Sequence, residues 1–160
     1  MATLLKPSYG ASTAITITSA ATLASLTAAG CAARDNTADL AVDAQLTILA
    51  TLATGTPASD KLINIWFDGS EDGAHFSDNA QYSGADAAVT LNVPPNFRGP
   101  FVIATPSSGG LQWIAFVPSV LKFLGGLVMP RKWGFIVENR TGLAFTAFSA
   151  TYSPLQLTNI

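Results

Sequence analysis

Gln45-Leu46-Thr47-Ile48-Leu49-Ala50-Thr51-Leu52, closed by the turn-forming run Thr54-Gly55-Thr56-Pro57, decides the fold class of this chain. Leu46, Ile48, Ala50 and Leu52 alternate with Gln45, Thr47 and Thr51, and only Leu49 interrupts the pattern. Successive side chains of a strand point to opposite faces, so strict alternation marks a strand with one buried face. The next segment repeats the pattern. Over residues 62–68, Ile63, Ile65 and Phe67 share one face, while Leu62, Asn64 and Trp66 share the other.

Strand signals continue in both directions from this pair. Thr13, Ile15 and Ile17 alternate with Ala14, Thr16 and Thr18, and the isoleucine side is the one to turn inward. Val89, Leu91 and Val93 form a further strand that Pro94-Pro95 ends. Residues 101–104 and 111–117 read as a pair joined by Pro106-Ser107-Ser108-Gly109-Gly110. Residues 133–137 and 143–151 read as a last pair, joined by Glu138-Asn139-Arg140-Thr141-Gly142. Arg34-Asp35-Asn36-Thr37 is a polar turn, and residues 22–28 allow one short helix, with Ser19 as N-cap and Gly30 as stop. The expected fold is all-β: an antiparallel β-sandwich or jelly roll of about seven or eight strands. The expected division is an N-terminal arm over 1–12, a sandwich domain over 13–151 and a C-terminal tail over 152–160. Both ends are poor in internal structure signals.

Composition narrows the partners. Only 11% of the 160 residues are charged, against about 25% in ordinary soluble domains. Ala, Ser and Thr stand where that charge would be. Two accounts compete: a surface covered by other protein in the working state, or the neutral Ser/Thr-rich surface of a secreted β-protein. The first is favoured. A net charge of −2, with eight Lys and Arg scattered along the chain, offers no basic field for nucleic-acid phosphates. Residues 117–129 are almost wholly apolar, interrupted by Lys122 and Gly125-Gly126, and too short for a bilayer span of about 20 residues. That segment reads as a core-facing connection, or as an apolar patch for a neighbouring subunit.

Cys31 is the only cysteine, so no internal disulfide can form. Ala28-Ala29-Gly30-Cys31 resembles a lipoprotein cleavage site. Against that reading, Pro7 and Gly10 interrupt the upstream segment, Lys6 is its only positive charge, and Ala28 stands three before the cysteine in place of Leu.

The inventory for catalysis is nearly empty. His75 is the only histidine, and no nucleophile motif accompanies it. Zinc would have only His75 and Cys31, and no phosphate-binding or dinucleotide-binding glycine motif is present. Asp68-Gly69-Ser70-Glu71-Asp72-Gly73 matches the first half of a calcium loop, but the closing position is Asn79, not a bidentate Glu. Glu71, Asp72, Asp78 and Glu138 could supply a glycosidase pair, yet no spacing selects two of them. Trp113 and Trp133 share parity with core residues, whereas Trp66 falls with Asn64 and Asp68 and could line a sugar-binding groove. Asn139-Arg140-Thr141 has the letters of a glycosylation sequon and reads as a hairpin turn. The expectation is a protein without enzymatic activity, cofactor or metal.

Several turn motifs occur together in this chain: Asp35-Asn36-Thr37, Thr54-Gly55-Thr56-Pro57-Ala58-Ser59-Asp60-Lys61 and Asp68-Gly69-Ser70-Glu71-Asp72-Gly73. Met129-Pro130-Arg131-Lys132-Trp133-Gly134 and Val137-Glu138-Asn139-Arg140-Thr141-Gly142 follow. In this order they resemble small virion structural proteins of tailed bacteriophages, over about two-thirds of the chain. The resemblance implies a particle component, a capsid decoration or cement protein or a tail-associated one, and brings no catalytic residue. The expected partners are further copies of the chain, as a homo-oligomer such as a trimer, and the major capsid or tail proteins, with no nucleic acid and no membrane. The expected location is the phage particle. Leu4, Leu5 and Tyr9 in the arm, with Leu121, Phe123 and Leu124 in the apolar segment, are the candidate contacts. A carbohydrate-binding sandwich module, using Trp66, is the alternative.

Overall fold

The computed structural model describes residues 5–58, 60–77, 81–91, 97–105, 108–126 and 128–159. Strands β1 (Leu5–Tyr9), β2 (Thr13–Ile15), β3 (Thr27–Gly30), β4 (Arg34–Asp35), β5 (Asp43–Leu52) and β6 (Leu62–Ser70) come first. They are followed by β7 (Ala87–Val89), β8 (Arg98–Ala104), β9 (Gln112–Val117), β10 (Lys132–Arg140) and β11 (Phe145–Asn159). Two short helices, α1 (Asn36–Asp39) and α2 (Val120–Leu124), and one 3-10 turn at Thr18–Ala20 complete the described elements.

The strands form two antiparallel sheets that face each other as a sandwich. Sheet I has the order β1-β11-β5-β9, with β2 also on β11; sheet II has the order β7-β3-β10-β6-β8, with β4 also on β10. Alternation is what makes this arrangement work. Leu46, Ile48, Ala50 and Leu52 of β5, with Phe148, Ala150 and Tyr152 of β11, bury one face of sheet I. Ile63, Ile65 and Phe67 of β6, with Trp133, Phe135 and Val137 of β10, bury the facing side of sheet II. All belong to one continuous core. Trp133 meets Tyr152 edge-on across it, with centroids 5.6 Å apart.

Helix α2 fills one end of the sandwich. Ser119 caps its start by accepting from the Lys122 amide, and the Asp43 carboxylate accepts from the Leu121 amide at 2.9 Å. Phe123 then stacks on Phe67 at 5.1 Å and meets Phe101 edge-on at 5.8 Å. Within the apolar segment, Val117, Val120 and Met129 are buried in the core and α2 packs on it, whereas Val128 is 72% exposed. A second, smaller core lies outside sheet II. Phe76, Tyr82, Val89 and Phe97 fold back onto Ala28 and Ile136. Tyr82 sits on bare backbone there. A Cβ at Gly30 would lie 2.6 Å from its ring, and one at Gly134 would lie 2.0 Å from its hydroxyl.

Several local expectations are corrected. The helix over 22–28 does not form. Residues 27–30 are strand β3, held between β7 and β10, and the only helical turn nearby is Thr18–Ala20. An Ala-rich stretch prefers helix when isolated, but backbone pairing on both sides overrides a weak local preference. β8 and β9 do not pair: β8 lies on β6 in sheet II, and β9 lies on β5 in sheet I. β10 and β11 likewise belong to opposite sheets. Their connection arches across the sandwich at Gly142, whose φ of 82° suits a residue without a side chain. Asn139 is buried under that arch and donates to the carbonyls of Leu23 and Leu143, so the sequon asparagine holds the arch from inside.

Strand β7 ends at Val89; Val93, Pro94 and Pro95 lie outside the described residues, as do Pro106 and Ser107. Short strands such as β1, β4 and β7 bring the described count to eleven, above the expected seven or eight. The two ends are ordered by each other. β1 pairs with the last residues of β11, from Leu5 opposite Asn159 to Tyr9 opposite Leu155, and β11 runs through position 152 without a break. Ala28 and Ala29 are buried in β3, and the adjoining Cys31 is buried beside Tyr82.

Candidate functional site

Cross-strand pairing places a defined set of side chains on the outer face of sheet I. One row runs Gln112, Thr51, Ala147; the next runs Ile114, Leu49, Ser149; a third runs Phe116, Thr47, Thr151, Ala14. Beyond them Gln45 pairs with Ser153, Tyr9 with Leu155, Pro7 with Leu157 and Leu5 with Asn159. None of these residues carries a charge. Asp43 is the single acid at these outward positions, and its carboxylate is turned onto the Ala44 and Leu121 amides. Ile114 is 68% exposed, Leu5 and Tyr9 58%, Phe116 50% and Leu157 49%. The face is thus a hydroxyl-lined band with an apolar patch at each end.

Sheet II is the opposite case. Its outer positions include Lys132, Glu138 and Arg140 on β10, Asp68 on β6 and Asp35 on β4. Glu138 accepts from Asn64 at 2.9 Å, from the Trp66 indole at 3.1 Å and from Arg140 at 3.1 Å. Hydrogen bonds to Glu138 first, and to Asp60 next, hold the Arg140 guanidinium above its ordinary pKa. A groove of about 310 Å³ runs beside Glu138, walled by Leu26, Val89 and Leu91. Trp66 does fall on this outer face, half-buried, with its N–H bonded to Glu138 and its ring against the second core. It is not a free platform for a sugar ring.

The acidic loop is organised around its own backbone. Asp72 accepts from the Ala74 and His75 amides, both at 2.8 Å, from Ser70, and pairs with the His75 ring at 2.6 Å. The His75 hydrogen bonds hold its carboxyl well below the usual carboxylate range. Asp68 lies in β6, accepts from the Gly69 amide and Ser77, and adjoins a cleft of about 170 Å³ with Glu71 and Arg98. Asp78 and Asn79 lie outside the described residues. Among the described residues, no three His, Cys, Asp or Glu side chains converge as metal ligands would, and no helix is long and apolar enough to cross a membrane.

A second clasp joins distant segments. Asp86 accepts from the Thr18 amide at 2.7 Å and hydroxyl at 2.6 Å, and from the Ser19 amide at 3.0 Å and hydroxyl at 2.5 Å. Burial pushes its carboxyl up, the four donors pull it down, and the donors win, leaving it at about 2. Cys31 is different: burial dominates and pushes the thiol up to about 11, against the opposing bonds from Phe135 and Tyr82.

The expected contact residues separate into two groups. Leu5 and Tyr9 stand on the uncharged face. Leu121, Phe123 and Leu124 are partly buried and pack against the main core. Leu4 lies outside the described residues. Ile114, Phe116, Leu49 and Leu157 are the members of the face that the sequence did not single out. Their signal was present as apolar residues of both parities in Trp113-Ile114-Ala115-Phe116-Val117 and as the Leu49 interruption. Fold and surface together define a two-sheet all-β sandwich with one broad uncharged face. No protein family, no curated protein and no solved structure matches the chain.

Proposed function

We propose that this chain is a non-enzymatic structural protein that self-associates and packs on a protein lattice. The resemblance of its turn motifs points to a capsid decoration or cement role on a phage particle. The observation that carries the reading is the uncharged outer face of sheet I, where the outward residues from Gln112 to Leu5 include exposed Ile114, Phe116, Tyr9 and Leu157. The hollow at its β2 edge, of about 350 Å³ between Ala14, Ala21 and Ser149, is shallow and open and carries no charged side chain. Burying the face against protein removes apolar area from water without stripping the hydration of an ion. Low overall charge then has a cause: the charges are kept for the surfaces that stay wet. Packing across subunits would stabilise a shell because the added interface must be lost before the shell opens.

The test is co-purification. Particles banded by density gradient from a culture producing the protein should contain its peptides at fixed stoichiometry to the main shell subunit. Removing residues 1–12 should lower that stoichiometry while leaving the circular dichroism spectrum of the domain intact, since β1 is an exposed edge strand. Peptides confined to the particle-free fraction would refute the lattice role.

A further inference from the structure

We infer that the uncharged face of sheet I is covered by the same face of a second copy, two sandwiches stacking sheet on sheet about a two-fold axis. The inference deepens the structural reading above and rests on it only for the self-association. Three observations carry it.

The first is charge. The chain is net negative at −2, and among the described residues only two charged side chains lie on sheet I: Asp43, and Lys6, whose place in β1 alternates with the outward Leu5 and Pro7. Two identical acidic chains repel wherever like charges meet, and any ion they bury must be desolvated. The outer face of sheet I confines both costs to Asp43. Its outward residues are Thr47, Thr51, Ser149, Thr151, Ser153 and Gln45 between apolar ends, and Asp43 is already bonded to backbone amides.

The second is area. β11 spans 15 residues and β5 spans 10, with β9, β1 and β2 adding 6, 5 and 3. At a rise of about 3.3 Å per residue and a strand spacing of about 4.8 Å, the face projects roughly 600 Å² per copy. The pair therefore buries about 1,200 Å², the lower bound for specific stable interfaces.

The third is the distribution of apolar side chains. Ile114, Phe116 and Leu49 cluster at the β9 edge, and Leu5, Pro7, Tyr9, Leu155 and Leu157 cluster along the β1 ribbon. A two-fold stack is self-complementary, so each patch meets a patch and the hydroxyl band meets itself. Stacked sheets pack about 10 Å apart with strands about 30° from parallel, a separation that Phe, Ile and Tyr side chains span by interdigitating. The unit that packs on a lattice is then a pair, in place of a trimer.

Sedimentation equilibrium of the full chain should give twice the chain mass of 16.6 kDa. Ile114→Lys with Phe116→Lys sets two like charges at each half of the contact and should raise the dissociation constant about 30-fold or more, the size of losing one large apolar anchor. Both positions are exposed, so the circular dichroism spectrum should not change. Val102→Lys, on the outer side of β8, should leave the pair intact. A chain that sediments as a monomer at its highest soluble concentration overturns the inference, and so does a double variant that pairs as tightly as the parent. A monomer found in particles overturns the pairing alone; a pair absent from particles supports the pairing and overturns the lattice role.

Discussion

Replacing Asp86 with Asn should destabilise the domain in a way that depends on pH. The carboxylate gathers four hydrogen bonds from Thr18 and Ser19, joining the segment that follows β2 to the strand β7 edge. Its carboxyl falls from 3.8 to about 2. A folded pKa below the unfolded one means stability that is fully present above about pH 4 and is lost as the pH falls through about 2. At about 1.4 kcal/mol per pKa unit the drop corresponds to roughly 2.4 kcal/mol. Asp86 is partly exposed, so solvent screening reduces that to about 1–2 kcal/mol. Asn keeps one acceptor oxygen and loses the charge, so the parent should exceed Asp86→Asn by about this amount at pH 6. In a domain of this size the difference is a fall in Tm of about 2–6 °C. Urea unfolding followed by tryptophan fluorescence, repeated from pH 6 to pH 2, measures it directly. The gap between parent and variant should close as pH approaches 2, because the protonated acid then resembles the amide. A gap that stays constant across that range would show that the charge contributes nothing, and the clasp would be a packing contact only.

Two further outcomes follow from Tyr82 and the residues it touches. Gly134→Ala places a Cβ 2.0 Å from the Tyr82 hydroxyl and should cost about 1–3 kcal/mol by overpacking. Tyr82→Phe removes the clashing oxygen together with its 2.8 Å bond to the Cys31 carbonyl, so Gly134→Ala should cost less in that background. Equal costs in the two backgrounds, read from urea midpoints, would place the strain elsewhere. Cys31, buried and with its thiol pushed up to about 11, should resist iodoacetamide at pH 8 in the folded chain and react at once in urea. Intact mass reports the difference, and rapid modification of the folded protein would count against the burial.

How much of this was legible without coordinates depended on the range of the interaction. Period-two alternation in Leu46, Ile48, Ala50, Leu52 and in Ile63, Ile65, Phe67 was sufficient for the all-β class and for the core faces, because a strand's facing is a local property. Leu49 looked like an interruption, yet β5 alternates along its whole length; Leu49 is the outward residue that begins the apolar patch. Local pattern carries no information about which strands pair. No two strands adjacent in the chain are hydrogen-bonded neighbours among the described pairs. The apparent hairpins 101–117 and 133–151 are therefore arches between sheets. A turn of Gly, Asn and Thr serves either geometry, and only long-range packing selects between them.

The sequence by itself determined that this protein is built of strands, that its reactive inventory is nearly empty and that its surface is poor in charge, since these follow from residue identity and short-range periodicity. Tertiary structure alone decided where the poverty of charge lies. It brought β1, β2, β5, β9 and β11 into one sheet from five separated stretches, so that Leu5, Leu49, Phe116 and Leu157 share a face. It also packed the partly buried Leu121, Phe123 and Leu124 against the core, because a capped helix at the sandwich end sets Phe123 on Phe67 and Phe101. A face is a property of strand order and register, and neither is written in any one segment of the chain.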